Sequence, residues 1–413
     1  QVVNVVLTEV FSDVSVQYEI SGQQIEDNVV APNGSISVSG TRGGLDYQIQ
    51  GQVGENHGVT TYKESSILGD FSQNDYIYRK DVDDRSNSSL SGNLGYEINN
   101  NSSARFSGQF SEGTSRTDLN RKTTNLRMSP VVDSYQREDI RGDINNWEIG
   151  GDYEYNTARG DRFKILLISN SFTPERLRER WNLTGPESES KNLFLDSAST
   201  TRERIVRSSY TLDLFQGSQD IELGAERAQT ILDSSLALGV LNPSGTASAV
   251  VGGLVPVNVP NARSTVEEMR YEPFIIHNWV FNSRMSLESS VLYEDSQISQ
   301  SGEISKERNY DYVKPKLDFR YDLTPTIQLR GTMEKIVQQL SFNDFVAALD
   351  RNDEDRDVQF GNDNLKQEWY WNYEFNAEYR LPNDIGVASA RVFYEDWTDR
   401  IERIDVSPSK ENL

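Results

Sequence analysis

Three observations predict an all-β chain folded as an up-and-down antiparallel barrel. Apolar and polar residues alternate strictly over long runs, and short turn signals recur at near-constant spacing. No stretch of about 20 residues is apolar enough for a membrane helix. From Trp369 to Tyr379 one face is Trp369, Trp371, Tyr373, Phe375, Ala377 and Tyr379; the other is Tyr370, Asn372, Glu374, Asn376 and Glu378, followed by Arg380. Successive strand side chains point to opposite faces, so this run has an aromatic face and a polar face. A helix would need apolar positions three and four apart, which these runs lack.

The elements follow in chain order. Phe11 to Ile20 is a first strand; a connection through Gly22–Asn33 leads to a second at Ser35–Gly40. Leu90, Gly92, Leu94, Tyr96 and Ile98 alternate with Ser91, Asn93, Gly95, Glu97 and Asn99. Val313, Pro315, Leu317, Phe319, Tyr321 and Leu323 oppose Lys314, Lys316, Asp318, Arg320 and Asp322. The uncharged stretch Ser234 to Ala262 contains three prolines and is predicted as a loop. Val387 to Trp397 is the last strand expected.

Short turn signals start at Thr41, Asn99, Thr157, Phe215, Phe281, Leu323 and Leu381, at intervals of 58, 58, 58, 66, 42 and 58 residues. Between these turned hairpins the sequence predicts long, polar, irregular connections. A meander with short turns at one end and long loops at the other has the asymmetry of an outer-membrane barrel. A soluble propeller would need four strands per unit and a recurring motif, and neither is present. One leading strand plus two for each of seven hairpins gives fifteen. Membrane barrels of single chains are normally even-stranded and leave no edge open to lipid. The chain is therefore expected to be a fragment of a larger barrel, with about fifteen strands present. Gln1-Val2-Val3-Asn4 has no initiator Met or signal-peptide pattern, in keeping with a start inside a longer protein.

Composition excludes several classes. Hydrophobic residues are 36%, yet aromatics reach 10%, which argues against disorder. With 41 Lys+Arg against 64 Asp+Glu the net charge is −23, unsuited to nucleic-acid phosphates. The absence of cysteine rules out disulfides and thiolate metal sites, and His57 and His277 are the only histidines. There is no phosphate loop, nucleophile elbow or defensible carboxylate pair. The expectation is a non-enzyme without catalytic, cofactor or metal residues.

Several segments resemble the TonB-dependent outer-membrane receptors. Gln1–Leu7 is similar to the last strand of that family's plug, which leads into the first barrel strand. Gly361-Asn362-Asp363-Asn364-Leu365-Lys366-Gln367-Glu368 resembles the family's Gly-Asn-Pro-x-Leu-x-Pro-Glu segment, with Asp363 and Gln367 in place of its prolines. An aromatic strand follows, as in the family. Val392-Phe393-Tyr394 with Asp399-Arg400-Ile401-Glu402 is similar to the family's next strand and its exit. The resemblance implies residues 1–8 as the end of a plug and 9–413 as a partial barrel, about fifteen strands of the family's 22. It implies import of a scarce nutrient (siderophore, vitamin or glycan) across a Gram-negative outer membrane. TonB would supply energy through an N-terminal region outside this chain. A non-energised porin or adhesin is the alternative.

In such a barrel Trp369, Trp371, Tyr373, Phe375, Tyr379, Phe319 and Tyr321 face lipid and its interfaces, a reading preferred to a sugar-stacking platform. Lys314, Lys316, Asp318, Arg320, Glu374, Glu378 and Arg380 face the lumen. The expected partners are outer-membrane lipid and lipopolysaccharide, TonB and a nutrient ligand. Asp350–Asp357 lacks the spacing of a calcium loop and is expected to be a solvated loop. Glu175–Arg180 is expected as an ion-paired surface helix or loop, and His277 as an interfacial residue.

Overall fold

The computed structural model describes residues 13–25, 27–185, 188–215, 217–346, 348–349, 358–359, 362, 364–382 and 385–402. The elements are β1 (Asp13–Gln24), β2 (Val30–Arg42), β3 (Leu45–Ile67), β4 (Gln73–Asn99), β5 (Ser102–Asn125) and β6 (Val132–Asn156). They continue with β7 (Arg162–Gly185), β8 (Ser188–Leu214), β9 (Gln219–Val240), β10 (Val255–Val257), β11 (Arg263–Asn282) and β12 (Met285–Gly302). The last are β13 (Lys306–Thr324), β14 (Ile327–Val337), β15 (Ala348–Leu349), β16 (Val358–Gln359), β17 (Trp369–Arg380) and β18 (Val387–Thr398). Fifteen strands form one antiparallel meander in sequence order from β1 to β18, with β10 added beside β9 and β15–β16 a separate pair. β1 and β18 each pair on one side only. The expected strand count and all seven short connections are found.

The short turns are made by local chemistry. Gly43 and Gly44 have φ of 56° and 84°, the double positive φ that a two-residue hairpin turn requires. Elsewhere a side chain closes the turn. Asn99 Oδ1 accepts from the Asn101 amide at 2.9 Å, and Asn282 Oδ1 from that of Arg284 at 2.9 Å. Thr324 Oγ1 accepts from the Ile327 amide at 3.0 Å. In the last turn the Leu381 amide donates to the Gly386 carbonyl at 2.9 Å, while residues 383 and 384 lie outside the described residues.

The other end differs from expectation. The predicted irregular connections are mostly strand: β3 has 23 residues, β4 27 and β8 27, and only residues 68–72 separate β3 from β4. β1 likewise runs to Gln24 and β2 starts at Val30, so the first connection is 25–29. The alternation is hidden there because both faces are polar. Outward pairs such as Arg141–Asp139 (2.7 Å) and Arg137–Glu189 (2.7 Å) replace the apolar pattern. Glu175–Arg180 is corrected to the upper part of β7, where Arg178 Nε reaches Glu138 Oε2 at 2.6 Å; it is neither helix nor loop. Ser234–Val240 completes β9, so the predicted loop begins only after it.

Register aligns one apolar face along the short-turn end of the whole sheet. It includes Tyr47, Leu94, Phe106 and Gly151 in one row, and Leu287, Phe319 and Gly331 in another. On β13 and β17 this outward run spans Val313–Leu323 and Trp369–Tyr379, near the ~10 residues that a tilted strand needs to cross the hydrocarbon. Its residues are exposed: Val313 52%, Phe375 50%, Ile149 48%. No helix among the described residues is long and apolar enough to cross a membrane.

Candidate ligand-facing wall and inward strap

The opposite face of β9–β13 carries a chain of buried and half-buried charges, because alternation there places Glu226, Arg270, Glu272, Glu294 and Lys314 on one side. Arg270 Nη2 lies 3.3 Å from Glu226 Oε1, and its Nε 3.1 Å from Glu272 Oε2. Lys314 Nζ bonds Glu272 and reaches Glu294 Oε2 at 2.8 Å. Glu294 and Glu272 are both buried, at 1% and 8% exposure. Burying such groups is tolerated only when each finds its partners.

These partners are covered by a segment that the sequence did not reveal as structural. After β14 the chain turns inward through a short 3₁₀ turn at Phe342–Asp344 and returns through 364–368 before β17. Phe345 (0%) and Val346 (2%) pack on Leu232, Val266 and Ile298 of the inner wall, with Leu340 in the same cluster. Leu365 and Ile401 lie against it. Polar contacts fix this strap. Gln300 Nε2 donates to the Phe345 carbonyl at 3.1 Å, Tyr310 Oη donates to the Leu365 carbonyl at 3.0 Å, and Gln367 Nε2 donates to Glu294 Oε1 at 3.2 Å. The Ile401 amide donates to Glu368 Oε2 at 2.8 Å, tying the exit of β18 to the same limb. The sequence signal was the 361–368 motif; nothing in it showed that Leu365 would be half-buried and Gln367 fully buried.

The residues expected to face the lumen share the face of this network. Lys316 pairs with Glu288 at 2.9 Å, and Asp318 takes both Nε (2.8 Å) and Nη2 (2.7 Å) of Arg330. Arg320 pairs with Asp322, Glu374 with Arg391, and Glu378 with Arg380. The expected lipid-facing residues stand on the other face. Tyr373, Phe375, Tyr379 and Phe319 are exposed; Trp369, Trp371 and Tyr321 are half-buried. Trp371 stacks beside Tyr373 at 6.2 Å, and Lys335 Nζ sits 4.1 Å from the Trp369 ring centre. His277 lies outward near its turn and meets Gln219 Oε1 at 3.1 Å. Among the described residues no group of three or more His, Asp or Glu is placed to hold a metal. The acidic segment Asp350–Asp357 and the expected plug strand at 1–8 lie outside the described residues.

His57 was counted in the sequence without a role. It bridges two carboxylates at the outer end, with Nδ1 2.6 Å from Asp84 Oδ1 and Nε2 2.7 Å from Asp27 Oδ2. The hydrogen bonds to Asp84 and Asp27 push its pKa up, and the bond from His57 pulls that of Asp27 down.

The model of the TonB-dependent receptor-like β-barrel family matches residues 27–412. The chain belongs to that family. It is an outer-membrane β-barrel chain of the Gram-negative type. Solved structures of the same fold include the alcaligin outer-membrane receptor of Bordetella pertussis, with TM-score 0.55 and 10% identity over 97% of this chain and 54% of that one. The ferripyoverdine receptor of Pseudomonas aeruginosa gives 0.57 and 11%, over 94% and 48%. A copper transporter gives 0.56 and 10%, over 93% and 54%. The chain thus spans about half the length of these neighbours. No curated protein sequence matches it. The family consists of receptors and transporters rather than enzymes.

Proposed function

We propose that this TonB-dependent receptor chain forms wall and strap of an importer for a scarce nutrient, a siderophore complex, vitamin or glycan. Its apolar outer face meets outer-membrane lipid and lipopolysaccharide, and its charged inner face meets the plug and the transport path. TonB would drive the cycle through a region N-terminal to this chain. The observation that carries the reading is the strap: Phe345 and Val346 seal the inner wall that an open pore would leave to water. The neighbours named for ferripyoverdine and copper favour a metal-bearing cargo.

Uptake of a labelled panel (ferric siderophores, a corrinoid and oligosaccharides) by a strain carrying or lacking this receptor tests the proposal. One ligand should accumulate only when both the receptor and TonB are present. Equal uptake without TonB would favour the non-energised porin; uptake of nothing, with cell adhesion instead, would favour an adhesin.

A further inference from the structure

We propose that Arg308 is an anion site of the transport path, covered by the strap and uncovered by a carboxylate on the cargo. This rests on the import reading and narrows it to cargo that carries a free carboxylate. Register puts Arg308 on the inner face of β13, opposite Ile298 of β12. It lies five residues above Val313, where the outward apolar run of that strand begins, and sixteen from the short turn at Thr324. At ~3.3 Å per residue that turn is roughly 50 Å away along the strand. Asp13 of β1 pairs with Thr41 beside the Gly43-Gly44 turn, so the chain enters the sheet at that distant end. Arg308 stands at the outer mouth, which external cargo meets first.

Its guanidinium is the exception on this wall. Arg270, Lys314, Lys316, Arg320 and Arg330 each hold a carboxylate. Both Nη atoms of Arg308 are buried and neither has a hydrogen-bond partner, and among the described residues no carboxylate pairs with it. What it meets instead is the ring of Phe345, centred 5.1 Å from the guanidinium carbon. An aromatic face attracts a cation, but less than a carboxylate held by two parallel bonds. A buried cation without an anion is destabilising, and a guanidinium cannot shed its proton to escape.

That cost falls on the closed strap. Phe345 is held by packing on Leu232, Val266 and Ile298 and by the hydrogen bond from Gln300 to its carbonyl. None of these contacts needs Arg308. Lifting Phe345 opens the guanidinium to water or to an anion, so an anion that binds only the open state shifts the strap toward it. The planar fork of arginine matches a carboxylate, and neutral oligosaccharides offer no such group.

The test is hydrogen exchange of the full receptor in outer-membrane lipid, with tricarballylate as the probe and its uncharged triamide as the control. In wild type the amides of 342–346 should exchange about tenfold faster with saturating tricarballylate and be unchanged by the triamide. Without any probe, R308M should slow exchange there about tenfold, because the buried charge is gone, and tricarballylate should then have no effect. R308K keeps the charge without the fork and should respond weakly. No acceleration of wild type by tricarballylate, an equal one by the triamide, or an undiminished one in R308M overturns the proposal. So does probe-free exchange in R308M that is unchanged or faster, which would make the guanidinium a latch on Phe345. The wild-type readings do not depend on any variant folding. Neither TonB nor uptake enters the assay, so its outcome is separate from that of import.

Discussion

Gln367 and Glu294 are 73 residues apart in sequence and joined by a 3.2 Å hydrogen bond from Nε2 to Oε1, both side chains buried. The bond ties the return limb of the strap to the same carboxylate that Lys314 neutralises. The strap and the charged wall are therefore one network. A hydrogen bond to a charged acceptor contributes about 1.5–3 kcal/mol. Gln367→Ala should release the strap locally, so amides of 342–346 exchange roughly ten- to hundredfold faster while those of β4 and β5 are unchanged. Unchanged exchange at 342–346 would show that the bond does not hold the strap.

Lys314 carries more of the load than any strap residue. Lys314→Met leaves Glu294 without its cation and Glu272 with Arg270 alone. Removing one partner of a buried pair is expected to destabilise by about 3–5 kcal/mol. The variant should lose the heat-modifiable, folded gel mobility at a lower temperature than wild type. Adding Glu272→Gln and Glu294→Gln to it should restore most of the loss, since the unpaired charges are then gone.

The clasp of His57 between Asp27 and Asp84 makes the first outer connection depend on pH. A raised imidazole pKa means stability that is complete below the free value of about 6.5 and lost as pH rises through the higher folded value. The lowered Asp27 pKa acts in the opposite direction, its contribution being lost only as strongly acidic pH is approached. Proteolysis between β1 and β2 should accelerate from pH 6 to pH 9 in wild type relative to His57→Gln. Parallel profiles for the two proteins would remove the clasp from the account.

The sequence made the frame legible because geometry dictated it. The belt needs one apolar face in every strand, and the turns need Gly, Asn or Thr, so both leave a period in the residues. Above the belt, Arg141 pairs with Asp139 along β6 and Arg178 pairs with Glu138 across β7 and β6, so polar residues occupy both faces. That erased the alternation and concealed β7. The strap was hidden for a different reason. Phe345 and Val346 are two apolar residues in a long connection, and only the fold shows that Leu232 and Val266 await them. Sequence spacing does not encode a contact between an irregular connection and strands far from it in the chain.

Neighbouring residues on opposite faces offer the most direct test of the central claim, that one face of this wall meets lipid and the other the transport path. The chain has no cysteine, so Glu374→Cys and Phe375→Cys each introduce a single thiol into it. In intact outer membranes Glu374→Cys should react with a small water-soluble maleimide. Phe375→Cys should stay unreactive, and a fluorophore attached there during refolding should be quenched by lipids brominated on the acyl chains. Maleimide reaction at Phe375→Cys, with acyl-chain quenching at Glu374→Cys, would contradict the account.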